Sequence, residues 1–237
     1  MMEKRILSVK ASDLLRDSLK YIKIRCDIDD NSREGARIYQ QCMQIWAKYF
    51  SSAQMQLLVA DFGREYIDEK KYKFLLGGKK FTCHLLEQLE ISAVTGGYFY
   101  LFHAPEAKSE VQSQMERFYI ESWQIALMDA GRLWLERYLR RQQPENCHLS
   151  ESFGPGFFGM EIEMISVMVN ILQGELVGVR LMPDGMMKPA KSLAGMFLTG
   201  SQEFQMPSGD CQFCQGTGRC LMCRHYAGQV HSGESSH

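Results

Sequence analysis

The chain has 237 residues, 45% of them hydrophobic, with 27 basic against 28 acidic side chains. That length buries a sizeable core in one domain or in one domain plus a small appendage, and the balanced charge supplies no field to draw the whole molecule to a polyanion. Nucleic acid is therefore not expected as the principal partner; nor is a membrane, because no apolar run is long enough to span a bilayer and the N-terminus MMEKRILSVKASDLLRDSLK lacks the apolar run of a signal peptide. The expected location is cytoplasmic.

Along the chain, Ser12 stands before LLRDSLKYI as a helix N-cap. Ser32 does the same for REGARIYQQCMQIWAKYF, where Ile38, Cys42, Ile45, Trp46 and Tyr49 recur at helical spacing. MQLLVADF reads either as a strand or as a helix end, and the paired glycines of LLGGKK mark a turn. A short helix is expected in FTCHLLEQL, followed by a strand with a glycine bend in ISAVTGGYFYLF. The longest helical pattern runs from about Ser109 to Arg141, with Phe118, Trp123, Leu127, Ala130 and Trp134 on a broad apolar face and Pro144 just beyond.

SFGPGFFGM is a glycine-rich turn, and EIEMISVMVNILQG a helix ending at Gly174, with Glu161 and Glu163 in its first turn. ELVGVRLM and KSLAGMFLTG read as strands flanking the loop PDGMMKP. Helices and strands mix without regular βαβ alternation, which predicts an α+β fold with a largely antiparallel twisted sheet packed with helices. Residues 1–55 are expected to be a helical segment packed on the core, 56–204 the α+β domain, and 205–237 a cysteine-rich tail.

Eight cysteines in a chain without an export signal point to a reducing compartment, where clustered cysteines bind metal. Cys26, Cys42, Cys83 and Cys147 are scattered and read as ordinary thiols. Cys211, Cys214, Cys220 and Cys223 are different: CQFCQGTGRCLMC has the spacing C-x2-C-x5-C-x2-C, and Gly216 and Gly218 relax the connection so that both knuckles face one centre. Four thiolates around one metal suit zinc and iron-sulfur centres alike. His225 lies nearby, but four cysteines already complete a tetrahedral set. Cys83 beside His84 falls in an expected helix, a poor setting for a nucleophile and base. There is no G-x-S-x-G elbow, phosphate-binding glycine loop or H-E-x-x-H.

The tract from SFGPGFFGM to SLAGMFL resembles the activation domain of cobalamin-dependent methionine synthase and its stand-alone relatives. Pro155, Gly156 and Phe157 match the family's Pro-Gly-aromatic turn, Met187 and Pro189 its Met-x-Pro loop, and Ser192, Gly195 and Phe197 its final strand. Upstream, LLEQLEISAVTGGYFYL and IALMDAGRLWLERYL extend the resemblance over residues 60–200. It implies a shallow site built from the turn and the aromatic end of the last strand, through Ser152, Pro155, Gly156, Phe157 and Phe197. It also implies a corrinoid protein or cobalamin-dependent methyltransferase as partner, an electron donor, and S-adenosylmethionine beside the corrinoid. Ser152 stands where the family has an arginine able to pair with the S-adenosylmethionine carboxylate, and a hydroxyl does not make that bidentate contact. Phe157 and Phe197 each replace a family tyrosine.

The cysteine run looks like the C-x2-C-x-G-x-G zinc repeat of DnaJ chaperones, and it also resembles the reductive activators of corrinoid enzymes, which carry cysteine-bound 4Fe-4S clusters at a chain end. The expected function is an accessory role in reductive activation of a corrinoid-dependent methyltransferase system, relaying an electron to cobalt through a 4Fe-4S cluster. The alternatives are a non-catalytic docking adaptor with structural zinc (Zn) and, more weakly, an S-adenosylmethionine-dependent methyltransferase component.

Overall fold

The computed structural model describes residues 2–107, 111 and 113–204. β1 (Lys4–Lys10) leads into α1 (Ala11–Arg25), and α2 (Arg33–Tyr49) returns to β2 (Gln54–Gly63). A meander follows, made of β3 (Ile67–Asp68), β4 (Lys73–Leu76) and β5 (Lys79–Thr82), then the short α3 (His84–Gln88) and β6 (Val94–His103). The long α4 (Gln114–Gln142) connects to β7 (His148–Leu149), and α5 (Met164–Leu172) precedes the hairpin of β8 (Arg180–Leu181) and β9 (Met187–Lys188) and the last strand, β10 (Ser192–Gly200).

Five strands make the main sheet in the order β1-β2-β6-β10-β7, antiparallel at every step. Successive side chains on a strand point to opposite faces, and here both faces are covered. Leu58, Ala60, Phe62, Phe99, Leu101, Met196 and Leu198 enter one core with α5 and the β3–β5 meander. Leu57, Val59, Tyr100, Phe102 and Phe197 enter a second core under α1, α2 and α4. Burial on both sides explains why the central strands read as continuous apolar runs and not as alternations. The α+β architecture with an antiparallel sheet packed by helices is the one expected from the sequence.

The second core is organised around Trp123 of α4. Its ring is fully buried and lies 4.8 Å from that of Trp46 in α2, while its Nε1–H donates to the Cys42 carbonyl at 2.9 Å. The indole thus buries its apolar body and still satisfies its one donor.

Several boundaries differ from the sequence reading. The segment expected to be helical begins with β1, a sheet-edge strand in which only Val9 is buried and whose adjacent Ile6 and Leu7 break the apolar alternation in the sequence. α1 starts at Ala11, with Lys10 at the N-cap position and Ser12 already inside the first turn; Ser32 does cap α2, accepting from the Gly35 N–H at 2.8 Å. α4 is capped by Ser113, which accepts from the Glu116 N–H at 3.1 Å. The S-x-x-E signature there was readable and lies later than the expected start. α5 ends on Gln173 in the left-handed conformation, φ +60°, and Gly174 opens a short 3-10 turn.

Candidate functional site

The turn of interest leaves β10's neighbourhood as a backbone graft on the sheet. Phe153 forms an isolated bridge with Met196, its N–H donating to the Met196 carbonyl at 3.1 Å and its carbonyl accepting from the Met196 N–H at 2.7 Å. Gly154 crosses β10 so closely that a Cβ there would come within 3.0 Å of the Gly195 Cα. The chain then closes on itself. The Gly156 N–H donates to the Met160 carbonyl at 2.9 Å, the Phe157 N–H to Gly154 at 3.0 Å and the Met160 N–H to Phe157 at 2.9 Å.

Positive φ at Gly156 (+88°), Phe158 (+50°) and Gly159 (+70°) drives this reversal; a non-glycine residue in that region is uncommon and held by its surroundings. Phe158 is held by packing: it is buried, edge-on to Phe153 at 6.0 Å and 79°, and its carbonyl accepts from the His84 N–H at 2.8 Å. Gly159 rests on the His84 ring, which a Cβ would strike. With Phe158 turned in, Phe157 is turned out and 52% exposed.

Ile162, 64% exposed, reaches back to the turn at Gly156. One helical turn on, Ser166 lies beside Gly185, the neighbour of Met186, which is 62% exposed. Met187 packs inward against the first core instead. The surface so formed is apolar and glycine-backed, with close backbone access suited to a flat ligand or a partner face.

Of the residues the sequence singled out, Ser152, Pro155, Gly156 and Phe157 are brought together in this one turn. Phe197 is not with them: it is fully buried, its ring 5.4 Å from Tyr100 in the second core. Strand alternation decides this, because Phe197 points to the face opposite Met196, to which the turn is bonded. The Ser152 hydroxyl is 2.6 Å from the Tyr100 hydroxyl, which reaches it over Gly195, where any Cβ would collide with the phenol. Burial pushes the Tyr100 phenol's pKa up, against the Ser152 hydrogen bond, which lowers it.

Two residues behind the turn were assigned otherwise from sequence. His84, considered only with Cys83, props the turn and is itself 3.3 Å from the Glu87 carboxylate. Glu161, expected in the first turn of a helix, precedes α5 and accepts from the Thr82 backbone N–H at 2.8 Å, pinning the turn to β5. No periodicity could have shown either contact, since both depend on the meander folding back.

Cys211, Cys214, Cys220 and Cys223 lie outside the described residues. Among the described residues no group of three or more His, Cys, Asp or Glu converges as a metal site, and no helix is long and apolar enough to cross a membrane.

These elements define an α+β domain with a curled antiparallel sheet packed with helices and an exposed Pro-Gly-Phe turn bonded to its last strand. The chain is similar in structure to the MetH reactivation domain bound to AdoHcy, with a TM-score of 0.58 over 86% of this chain and 81% of that one at 12% identity. At that identity the likeness is one of fold. No family model and no curated protein matches the sequence.

Proposed function

We propose that the chain is an accessory protein for reductive activation of a corrinoid-dependent methyltransferase system, and that it docks on the corrinoid protein through the turn at Pro155, Gly156 and Phe157. The observation that supports this most is the likeness to the MetH reactivation domain over 86% of the chain, together with a half-exposed aromatic at the tip of the matching turn. A corrinoid that transfers methyl groups works as Co(I) and stalls when oxidised to Co(II), so such a system needs a surface that presents the cofactor to an electron source. In this reading Gly156 lets the backbone approach closely and Phe157 supplies a flat apolar contact.

The four tail thiols are a donor set that fits either a 4Fe-4S cluster or zinc. The reading assigns them the cluster, which would supply one-electron transfer to cobalt. S-adenosylmethionine is not part of the proposal: AdoHcy is bound to the structural neighbour, whereas Ser152 offers no charge for a carboxylate and its hydroxyl is engaged by Tyr100.

The test is made on full-length protein purified without oxygen and mixed with a cobalamin-loaded corrinoid protein held as Co(II). Binding that weakens at least tenfold in Phe157→Ala, with dithionite-dependent appearance of the Co(I) spectrum, is expected. No binding to the corrinoid protein would sink the docking reading. Iron and acid-labile sulfide in near-equal amounts support the relay, whereas one zinc per chain and a featureless visible spectrum reduce the protein to a docking adaptor.

A further inference from the structure

Cys26 and Cys42 lie 16 positions apart in sequence, yet their sulfurs are 3.9 Å apart. Cys26 closes the C-terminal end of α1, its N–H donating to the Ile22 carbonyl at 2.9 Å, and Asp27 after it turns the chain at φ +50°. Cys42 sits mid-way along α2, with its carbonyl held by the Trp123 indole. One sulfur is thus on a helix end followed by a loop and the other on a rigid element. A disulfide needs a separation of about 2.05 Å, so the sulfurs must close further from 3.9 Å, and Cys26, next to the loop, stands on the less constrained of the two elements.

The two thiols are not equivalent. Cys26 is 9% exposed and Cys42 0%. The hydrogen bond from Cys42, helped by Ser122 and the Arg25 charge, outweighs burial and holds the Cys26 thiol's pKa down. Cys42 is pushed up by the same hydrogen bond, by burial and by the charge on Cys26. Both thiols are buried; Cys26, at the helix end, is the less enclosed of the two and the better anion, so it attacks first and Cys42 resolves.

We propose that Cys26 and Cys42 form a reversible dithiol–disulfide couple that ties the end of α1 to the middle of α2, with a small disulfide such as glutathione disulfide as oxidant. The Cys26 thiolate attacks one glutathione sulfur, breaking the S–S bond and releasing one glutathione thiolate. The Cys42 thiol then gives up its proton and attacks the Cys26 sulfur, expelling the second glutathione. Two electrons and two protons pass from the protein thiols to two glutathione molecules. Capping Cys26 also removes the charge and the hydrogen bond that kept Cys42 protonated. The couple belongs to the second core, on the face of the sheet opposite Phe158, so it stands independently of the proposed docking turn.

Full-length protein is incubated with glutathione disulfide, alkylated under denaturing conditions and digested with trypsin. Cleavage at Arg25, Arg33, Arg37 and Lys48 places the two cysteines in separate peptides, residues 26–33 and 38–48. Joined peptides that separate again with dithiothreitol are the expected result, with quenching of tryptophan fluorescence as the disulfide forms near Trp123. Cys42→Ser is expected to stop with glutathione on Cys26, and Cys26→Ser to leave Cys42 fully alkylated. Alkylation of both cysteines in the oxidised wild-type sample, or linkage of Cys26 to any cysteine other than Cys42, overturns the proposal.

Discussion

Two phenylalanines on either side of one sheet, Phe157 and Phe197, match neighbouring parts of the same family pattern and end in opposite environments. Phe197 is enclosed beneath the helices, in ring contact with Tyr100. Phe157 stands at the tip of a turn whose partner residue, Phe158, has taken the buried position. An aromatic residue in a motif thus says that a large apolar group is wanted, while the local backbone decides whether the core or a ligand receives it. The two sites can be separated by experiment.

Phe197→Ala should cost about 3–5 kcal/mol in denaturant unfolding, the range for deleting a buried aromatic ring. A loss below about 1 kcal/mol would show that the residue is not enclosed as described. Phe157→Ala, at the other extreme, belongs at the end of this scale.

Next in size is Asp129, buried in α4 with an Oδ2 that has no hydrogen-bond partner among the described residues. Burial raises its carboxyl from 3.8 to about 6, against a smaller opposing effect of Arg132. Because the folded state then holds the proton more tightly than the unfolded chain, the contribution to stability is fully present below pH 3.8 and is lost as pH rises through about 6. The span corresponds to about 3 kcal/mol at most. Stability of Asp129→Asn should lack this fall; parallel pH profiles of the two proteins would show that the group does not titrate in this way.

Gly159→Ala should destabilise by about 1–3 kcal/mol, since φ is +70° and the new Cβ meets the His84 ring. Replacing the ring as well, in Gly159→Ala with His84→Ala, should recover part of the loss, and strict additivity would deny that the two are in contact. Tyr100→Phe should cost about 1 kcal/mol by leaving the Ser152 hydroxyl without its phenol partner. Phe157→Ala should change stability by less than about 0.5 kcal/mol and register only in binding to a corrinoid protein, which sharpens the contrast with Phe197.

Much of the fold was legible. β6 and β10 announce themselves as apolar runs bounded by turn residues, the β2 tract reads equally as a strand or a helix end, and α2 and α4 show by long helical spacing, α2 with its Ser32 cap. β1 was missed because an edge strand with one covered face and charges at both ends carries too few alternating positions to stand out. Within the candidate site, the Pro155 to Phe157 turn was visible from its composition. Its supports were not, since His84 and the Thr82 N–H that Glu161 accepts belong to the β5–α3 junction, well over seventy positions earlier in the chain.

Cys26 and Cys42 show the same divide most clearly. Their residue types and spacing look unremarkable along the chain, and their meeting exists only because α1 and α2 pack together against α4. Hydrophobic period, caps and turn residues act over a few neighbouring positions, so local pattern carried most of the helices, the α+β class and the glycine-rich turn, but not β1 or the 3-10 turn at Gly174–Val177 that replaces much of the expected strand ELVGVRLM. Which aromatic faces solvent, which thiols touch and what braces the turn depend on strand register and helix packing. Those are set by burying both faces of one sheet at once, a condition no local stretch of sequence contains.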